Sequence, residues 1–275
     1  MLDRIPDNQQ LARQLSGLAR QRNAAQTAQA QLSSGQRADS YRALGTDTGR
    51  LIDLNGAVAR QEAYANAAQR ADLLLARQTT GIGQVRDSVL AARDQLLTAL
   101  ASGTHAGVAG AVSDLVSAGA AARDARHEGR PLFSDPAAPV VRIGDGRELS
   151  TETTIDELAA IDEVAAALVA VAGRPPGTAL AEPAAAMLRD LVVRMNDITE
   201  SLVHEEGRIG RRQSEVTGAV VLAQERADIL KIAKEKLNGV DPAEAITRLT
   251  QAEAALQASY TVISRLQNLN LTQFL

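Results

Sequence analysis

Apolar positions recur at helical spacing along almost the whole chain, and the two ends carry the most regular pattern. Ile246, Leu249, Leu256, Tyr260 and Ile263 follow one another at steps of three, four or seven, so they share one helical face. Glu253 is the single polar interruption, with Ala252 beside it. The start of this helix is also legible. Asp241 can cap it, Pro242 suits a first position whose N–H is not needed, and Glu244 stands third, where a capping box needs it. At the other end Leu11, Leu15, Leu18, Ala25, Ala28 and Leu32 form a similar stripe, and Ser33-Ser34-Gly35 supplies a stop. No lone helix can bury such a face. The pattern predicts two terminal helices that need each other.

Between them the pattern is nearly symmetric. After an irregular stretch from Asp39 to Gly45, Thr46 or Asp47 can cap a helix running to about Leu100. Its seam reads Leu51, Leu54, Val58, Ala65, Ala68, Leu75, Ile82, Val85, Val89, Ala92 and Leu96. Gly81 and Gly83 lower helix propensity by about 1 kcal/mol each against alanine, so the sequence admits a bend or break there. A matching helix starts at Pro183 and runs to Asn238-Gly239, with Met187, Leu191, Met195, Ile198, Leu202, Ile209, Val216, Ala219, Ala223, Leu230, Ala233 and Leu237 on one face. A shorter helix, about Gly107 to Arg126, can lie against this pair. In the middle, Pro131-Leu132-Phe133 and Val140-Val141-Arg142-Ile143 read as short strands, and Gly144-Asp145-Gly146 as a tight turn. Ile155 to Val171 returns to helical spacing before Gly173-Arg174-Pro175-Pro176-Gly177 breaks it.

The expected fold is therefore mainly α, an elongated antiparallel helical bundle or coiled coil that pairs the N- and C-terminal helices, with a small middle segment containing a β-hairpin. Five parts are expected: 1–45, an N-terminal assembly helix; 46–130 and 183–239, the two halves of a helical rod; 131–182, a small head; and 240–275, a C-terminal assembly helix.

Composition supports this class. Of 275 residues only 2% are aromatic and none is tryptophan, whereas a compact core of that size normally uses rings to fill space. Small and aliphatic side chains suit helices packed closely along their length. The net charge of −4 is interspersed, with no basic stripe, so nucleic acid is not an expected partner. Cysteine is absent, which removes disulfides, thiolate nucleophiles and cysteine metal sites together. Met1-Leu2-Asp3-Arg4-Ile5-Pro6 has no basic flank leading into an apolar run, so no cleaved secretory signal is expected. Val164 to Ala172, the longest strongly apolar stretch, falls far short of the roughly 20 residues that span a bilayer, and no membrane insertion is expected.

Candidate chemistry does not change the picture. His105, His127 and His204 are the only histidines, and none has a second at metal-binding helical spacing. His204-Glu205-Glu206 reads as a solvated helix face. Gly81-Ile82-Gly83 begins like a dinucleotide loop, but Arg86 stands where the third glycine belongs and no strand precedes it. Asp156-Glu157 and Asp162-Glu163 sit on a predicted helix without a pocket signature, and the Asn270-Leu271-Thr272 sequon lies at the end of an assembling helix. No catalytic, cofactor-binding or metal site is expected, and no cofactor. The chain reads as a non-enzyme.

Leu32-Ser33-Ser34-Gly35-Gln36-Arg37, the capped Asp241-Pro242-Ala243-Glu244-Ala245-Ile246, and Ala258-Ser259-Tyr260 resemble the flagellin superfamily, most over roughly the first hundred and last ninety residues. Within it, the ending Leu269-Asn270-Leu271-Thr272-Gln273-Phe274-Leu275 is more similar to the junction class between hook and filament than to filament flagellins. The opening Met1 to Pro6 departs from the polar, threonine- and asparagine-rich start of filament flagellins, and the head is small. The resemblance implies an inner layer of paired terminal helices, a rod around it and an outward head. It also implies an extracellular place in the bacterial flagellum after type III export without a cleaved signal. Its implied partners are a homo-oligomeric layer, a hook-side junction protein, flagellin and a flagellar export chaperone. Leu11, Leu15, Leu18, Leu32, Ile246, Leu249, Leu256, Tyr260 and Ile263 are the expected assembly interface, ordered when neighbouring subunits cover them. Two other readings stay open, a filament subunit and a coiled-coil sensory or chaperone-like bundle. A stripe reports that a surface is buried and not by whom, so the core of a monomeric bundle accounts for the same seams.

Overall fold

The computed structural model describes residues 4–38, 44–134 and 137–272, with the side chains of residues 4–11, 14 and 266–272 outside that description. The fold is mainly α. Six helices are present among the described residues: α1 (Arg4–Ser34), α2 (Thr48–Ser102), α3 (Val108–Asp124), α4 (Glu157–Ala172), α5 (Glu182–Asn238) and α6 (Pro242–Thr272). A 3-10 turn at Gly45–Asp47 leads into α2 where a side-chain cap was expected. Two antiparallel hairpins stand between α3 and α4, β1 (Arg126–His127) with β2 (Arg130–Pro131) and β3 (Val140–Gly144) with β4 (Arg147–Ser150). The chain divides into two compact units, one made of Met1–Ala59 with Ala227–Leu275, the other of Arg60–Arg226.

In the second unit α2 and α5 run antiparallel. Arg86 pairs with Glu206 at 2.5 Å, and one heptad further along α2 Arg93 donates to Asn196 at 3.2 Å, ten residues earlier on α5. The Arg86 guanidinium is held above its already high ordinary pKa by its hydrogen bond to Asp87, against the opposing effect of burial and with help from the Glu206 charge. Between the helices the expected seam is buried: Ala68, Leu75, Ile82, Val85, Val89 and Leu96 of α2 join Leu191, Met195, Leu202, Ile209 and Val216 of α5. Leu188, which the sequence reading passed over for Met187, is fully buried in the same core.

The α3 and α4 helices pack on each other and add Val108, Leu115, Ile161, Val164 and Leu168 to that core. The connections at their far ends also meet. Leu180 N–H donates to Gly103 O at 2.8 Å and His105 N–H to Thr178 O at 3.1 Å, which satisfies main-chain groups that the breaks at 103–107 and 173–180 would otherwise leave open.

The middle segment has no core of its own. Leu132, Phe133, Ile143, Leu149 and Ile155 are buried in the core that the helices build. Residues 131–182 thus belong to the same compact unit as the facing parts of the long helices. The strand expected at Pro131-Leu132-Phe133 is shorter and lies earlier. Arg130–Pro131 folds back on Arg126–His127 through a two-residue turn whose Glu128 and Gly129 both have positive φ, 52° and 81°. That is the backbone a primed hairpin turn requires. The second hairpin turns at Asp145-Gly146 after a bulge between Arg142 and Gly144. Tyr64 Oη of α2 donates to Asp145 Oδ1 at 3.0 Å, and Arg147 pairs with Glu215 of α5 at 3.1 Å, so both long helices hold the hairpin.

Deeper in the unit, Gln78 of α2 does what no hydrophobic pattern could announce. Its Nε2 donates to Leu132 O and Thr151 O, each at 3.1 Å, and its Oε1 accepts from Thr153 Oγ1 at 2.9 Å. Arg212 of α5 reaches the same strand exit, donating to Glu152 O at 2.7 Å. All polar positions of the buried Gln78 amide are engaged, which makes its burial tolerable.

The helix does not break at Gly81 and Gly83, and α2 passes through both. Gly81 instead makes room. A Cβ there would stand 2.7 Å from Phe133 Cζ, whereas at Gly83 the nearest atom, Glu206 Oε1, would be at 3.4 Å. The two glycines should therefore answer alanine with opposite signs. Gly81→Ala gains about 1 kcal/mol of helix propensity but overpacks the ring at a cost of about 1–3 kcal/mol, and should lower the melting temperature of the second unit. Gly83→Ala should raise it by about 2–4 °C for each kcal/mol gained. Calorimetry of both variants checks this; a shift of the same sign in both would refute the steric role of Gly81.

Candidate assembly interface

The first unit is organised by the antiparallel pair α1 and α6 together with the chain segments that follow α1 and α5. Helix α1 stops at Ser34 because Gly35 takes a left-handed φ of 67°, and Gly35 N–H closes the last turn on Gln31 O at 2.9 Å. The chain leaving α1 then pairs with the chain leaving α5. Arg37 N–H donates to Asn238 O at 2.7 Å, Val240 N–H to Gly35 O at 3.1 Å, and Gln36 bridges Gly239. Two side chains complete the latch. Asn238, buried at this point, accepts Ala38 N–H on its Oδ1 at 3.3 Å, and buried Gln31 donates to Arg37 O at 2.7 Å.

Immediately after the latch α6 begins with the expected cap: Asp241 Oδ1 accepts Ala243 N–H at 2.8 Å, and Pro242 is the first helical residue. The capping box does not close as expected. Glu244 turns forward to an ion pair with Arg248 one turn on.

Along the pair, α1 turns Leu18, Ala25, Ala28 and Leu32 inward, and α6 turns Ala245, Leu249, Ala252, Leu256 and Ile263 inward. Ala28 and Ala245 are fully buried, while the larger side chains are only half-buried. Gln21 Oε1 accepts Ser259 Oγ–H at 2.8 Å across the pair. Of the expected interface, Leu18, Leu32, Leu249, Leu256 and Ile263 thus meet within the chain. Leu15, Ile246 and Tyr260 do not: they are 51%, 54% and 55% exposed, and Val262, on the opposite flank of α6 from Tyr260, is 48% exposed. The side chain of Leu11 lies outside the described residues, as do Met1–Asp3, most of Asp39–Gly45 and the side chains of the ending Leu269–Leu275, the sequon included.

Two helices in contact along one stripe leave the rest of each apolar face to solvent. Such a geometry offers a surface for association; a shallow groove between the two helices is lined by Gln21, Gln31, Arg248 and Gln251. Among the described residues no three histidine or acidic side chains converge as metal ligands, and no helix is long and apolar enough to cross a membrane. Two buried polar atoms, His105 Nδ1 and Glu205 Oε1, lack a hydrogen-bond partner among the described residues. They lie in the second unit on separate elements.

The first unit thus pairs the first and last helices of the chain. Residues 194–275 match the family model for the bacterial flagellin C-terminal helical region, which takes in the Asn238–Val240 side of the latch, the Asp241 cap and all of α6. The fold is shared with a solved structure from Vibrio parahaemolyticus, that of a "putative flagellar hook-associated protein", with a TM-score of 0.57 at 16% identity over 68% of this chain and 96% of that one. Among curated proteins none matches the sequence. The family match ties residues 194–275 to the flagellin C-terminal helical region, and the shared fold agrees with it.

The half-covered pair generates a prediction. A fully buried leucine or isoleucine contributes about 1.5–3 kcal/mol, and most of these are only half-buried, while ordering a residue costs about 1–2 kcal/mol of backbone entropy. In a monomer of verified mass, amides of residues 12–34 and 242–265 should therefore exchange orders of magnitude faster than those of residues 75–96 in α2. Equal protection of the two sets would refute coupling of terminal order to assembly.

Proposed function

We propose that this chain is a structural component of the bacterial flagellum that joins hook to filament, the role of hook-associated protein 3, and that it self-assembles through α1 and α6. The observation that carries this reading is an α1–α6 pair that leaves Leu15, Ile246, Tyr260 and Val262 uncovered, with α6 inside the region that matches the flagellin C-terminal helices. A neighbouring subunit supplies the missing cover. The hook-associated description of the similar structure supports the junction over the filament. Partners on this reading are further copies in one layer, a hook-side junction protein below, flagellin above, and an export chaperone that shields the apolar ends before type III secretion without signal cleavage. The expected interface then divides into two tiers. Leu18, Leu32, Leu249, Leu256 and Ile263 form the intrachain seam, and Leu15, Ile246 and Tyr260 face other subunits.

Two substitutions test the tiers. Tyr260→Asp changes a side chain exposed in the monomer, so its fold and secretion should be intact while incorporation is lost, because a charge in a packed interface costs several kcal/mol. Leu256→Asp should also be secreted, since an unfolded export substrate never buries the position, and should fail to assemble. Normal incorporation of the Tyr260 variant, or retention of either in the cytoplasm at normal expression, counts against the proposal.

A second reading, the filament subunit, is favoured by the family model itself, which describes flagellin. A junction must meet two unlike neighbours, and unlimited head-to-tail self-association would compete with that. Purified protein seeded with filament fragments, with no flagellin added, should therefore form no long filaments. Long smooth filaments of this protein alone would exchange the two readings.

A further inference from the structure

The second unit contains a cleft of about 600 Å³ between α2 and the two hairpins, which the assembly reading does not use. Its walls are Ala63, Ala67, Ala71 and Leu74 of α2 on one side and Pro131, Leu132, Pro139 and Val141 on the other. Leu73 and Val140, on opposite lips, are 63% and 61% exposed, which is high for large aliphatic side chains flanking an apolar trough.

Three consecutive residues of β3, Val140, Val141 and Arg142, border this space. Neighbouring side chains of a strand point to opposite faces, so a cleft bordered by all three runs along the strand's edge. The other edge of β3 is taken by β4. Thr151 N–H donates to Pro139 O at 3.4 Å, which makes that a hydrogen-bonded pair of the ladder; by alternation, Val140 and Arg142 turn their N–H and C=O groups to the open edge. Neither has a main-chain partner on that side among the described residues. The polar floor, by contrast, is complete: Gln78, Thr151 and Thr153 spend their hydrogen bonds on one another and on Leu132 O and Pro139 O.

Charge narrows the occupant. Among the lining residues Arg70, Arg130 and Arg142 stand against one carboxylate, Glu128, in a chain whose net charge is −4. Arg130 also donates to Ala137 O, and Arg142 pairs at 3.5 Å with Glu148 on the solvent side. A long apolar trough, an open strand edge and a cationic rim are three separate requirements. An apolar small molecule answers only the first, and an anionic amphiphile the first and third. An extended peptide answers all three.

We propose that the cleft binds an extended acidic-apolar peptide segment of a partner protein, added as a third strand on the open edge of β3, with alternate apolar side chains in the trough and carboxylates at Arg70 and Arg142.

The test uses the full chain and fluorescein-labelled octapeptides followed by fluorescence anisotropy. The probes are alternating valine and glutamate, alternating valine and lysine, and the valine–glutamate peptide N-methylated at every second amide. Saturable binding of the first, at least ten-fold tighter than the second and lost on N-methylation, is expected. Joint Arg70→Glu and Arg142→Glu replacement on this exposed rim should invert the preference between glutamate and lysine peptides. The proposal is overturned by equal affinity for the two charge patterns, by undiminished binding of the N-methylated peptide, or by no saturable binding at millimolar peptide. Displacement of the bound peptide by oleate together with N-methyl insensitivity would reassign the cleft to an anionic amphiphile. Loss of peptide binding as the protein self-associates, with Val140→Lys restoring the monomer, would assign it to a second copy.

Discussion

An apolar stripe on a long helix has to be covered along its whole length, and small side chains can do this only with another helix lying alongside. That constraint organises both units. In the second unit it sets α2 against α5 in antiparallel register, fixed at the surface by Arg86–Glu206 and Arg93–Asn196 and filled inside by Leu75, Ile82, Val89, Met195, Leu202 and Ile209. In the first it brings together α1 and α6, which are more than two hundred residues apart in sequence. The latch between Gly35–Arg37 and Asn238–Val240 joins the exits of α1 and α5, so that the start of α6 is held beside the end of α1.

The middle segment depends on the same pairing. With few aromatic residues the hairpins cannot enclose a core, and they borrow one. Phe133, one of the two phenylalanines in the chain, lies against the bare backbone at Gly81, and Gln78 and Arg212 tie the strand exit at Thr151–Thr153 to both long helices. What an insertion adds here, therefore, is surface carried by a helical frame. The cleft along β3 is such a surface, apolar in its walls and open at its edge.

The two units differ in how fully they satisfy themselves. Ile82, Leu96, Leu168, Leu202 and Ile209 have lost all contact with solvent, whereas the leucines and isoleucines of α1 and α6 whose side chains are described are at best half-buried. The flagellin C-terminal match falls on residues 194–275, which take in the whole of the half-covered helix α6.

The periodicity of the sequence determined the helices, their inward faces, the Asp241 cap and the Gly35 stop, because each of these is a local consequence of backbone geometry and side-chain shape. Residue spacing could also say that two terminal stripes needed cover. It could not apportion that cover, because Leu256 and Tyr260 stand only about 40° apart around the helix, and it is the partner helix that leaves the first half-buried and the second 55% exposed. Tertiary structure likewise decided the role of Gly81, which propensity alone reads as a weak point and packing reveals as the seat of Phe133. It decided Gln78, whose three bonds span 54 to 75 residues of sequence and leave no periodic trace. The open edge of β3 belongs with these: alternation marks a strand, but only its neighbours determine which edge is left without a partner.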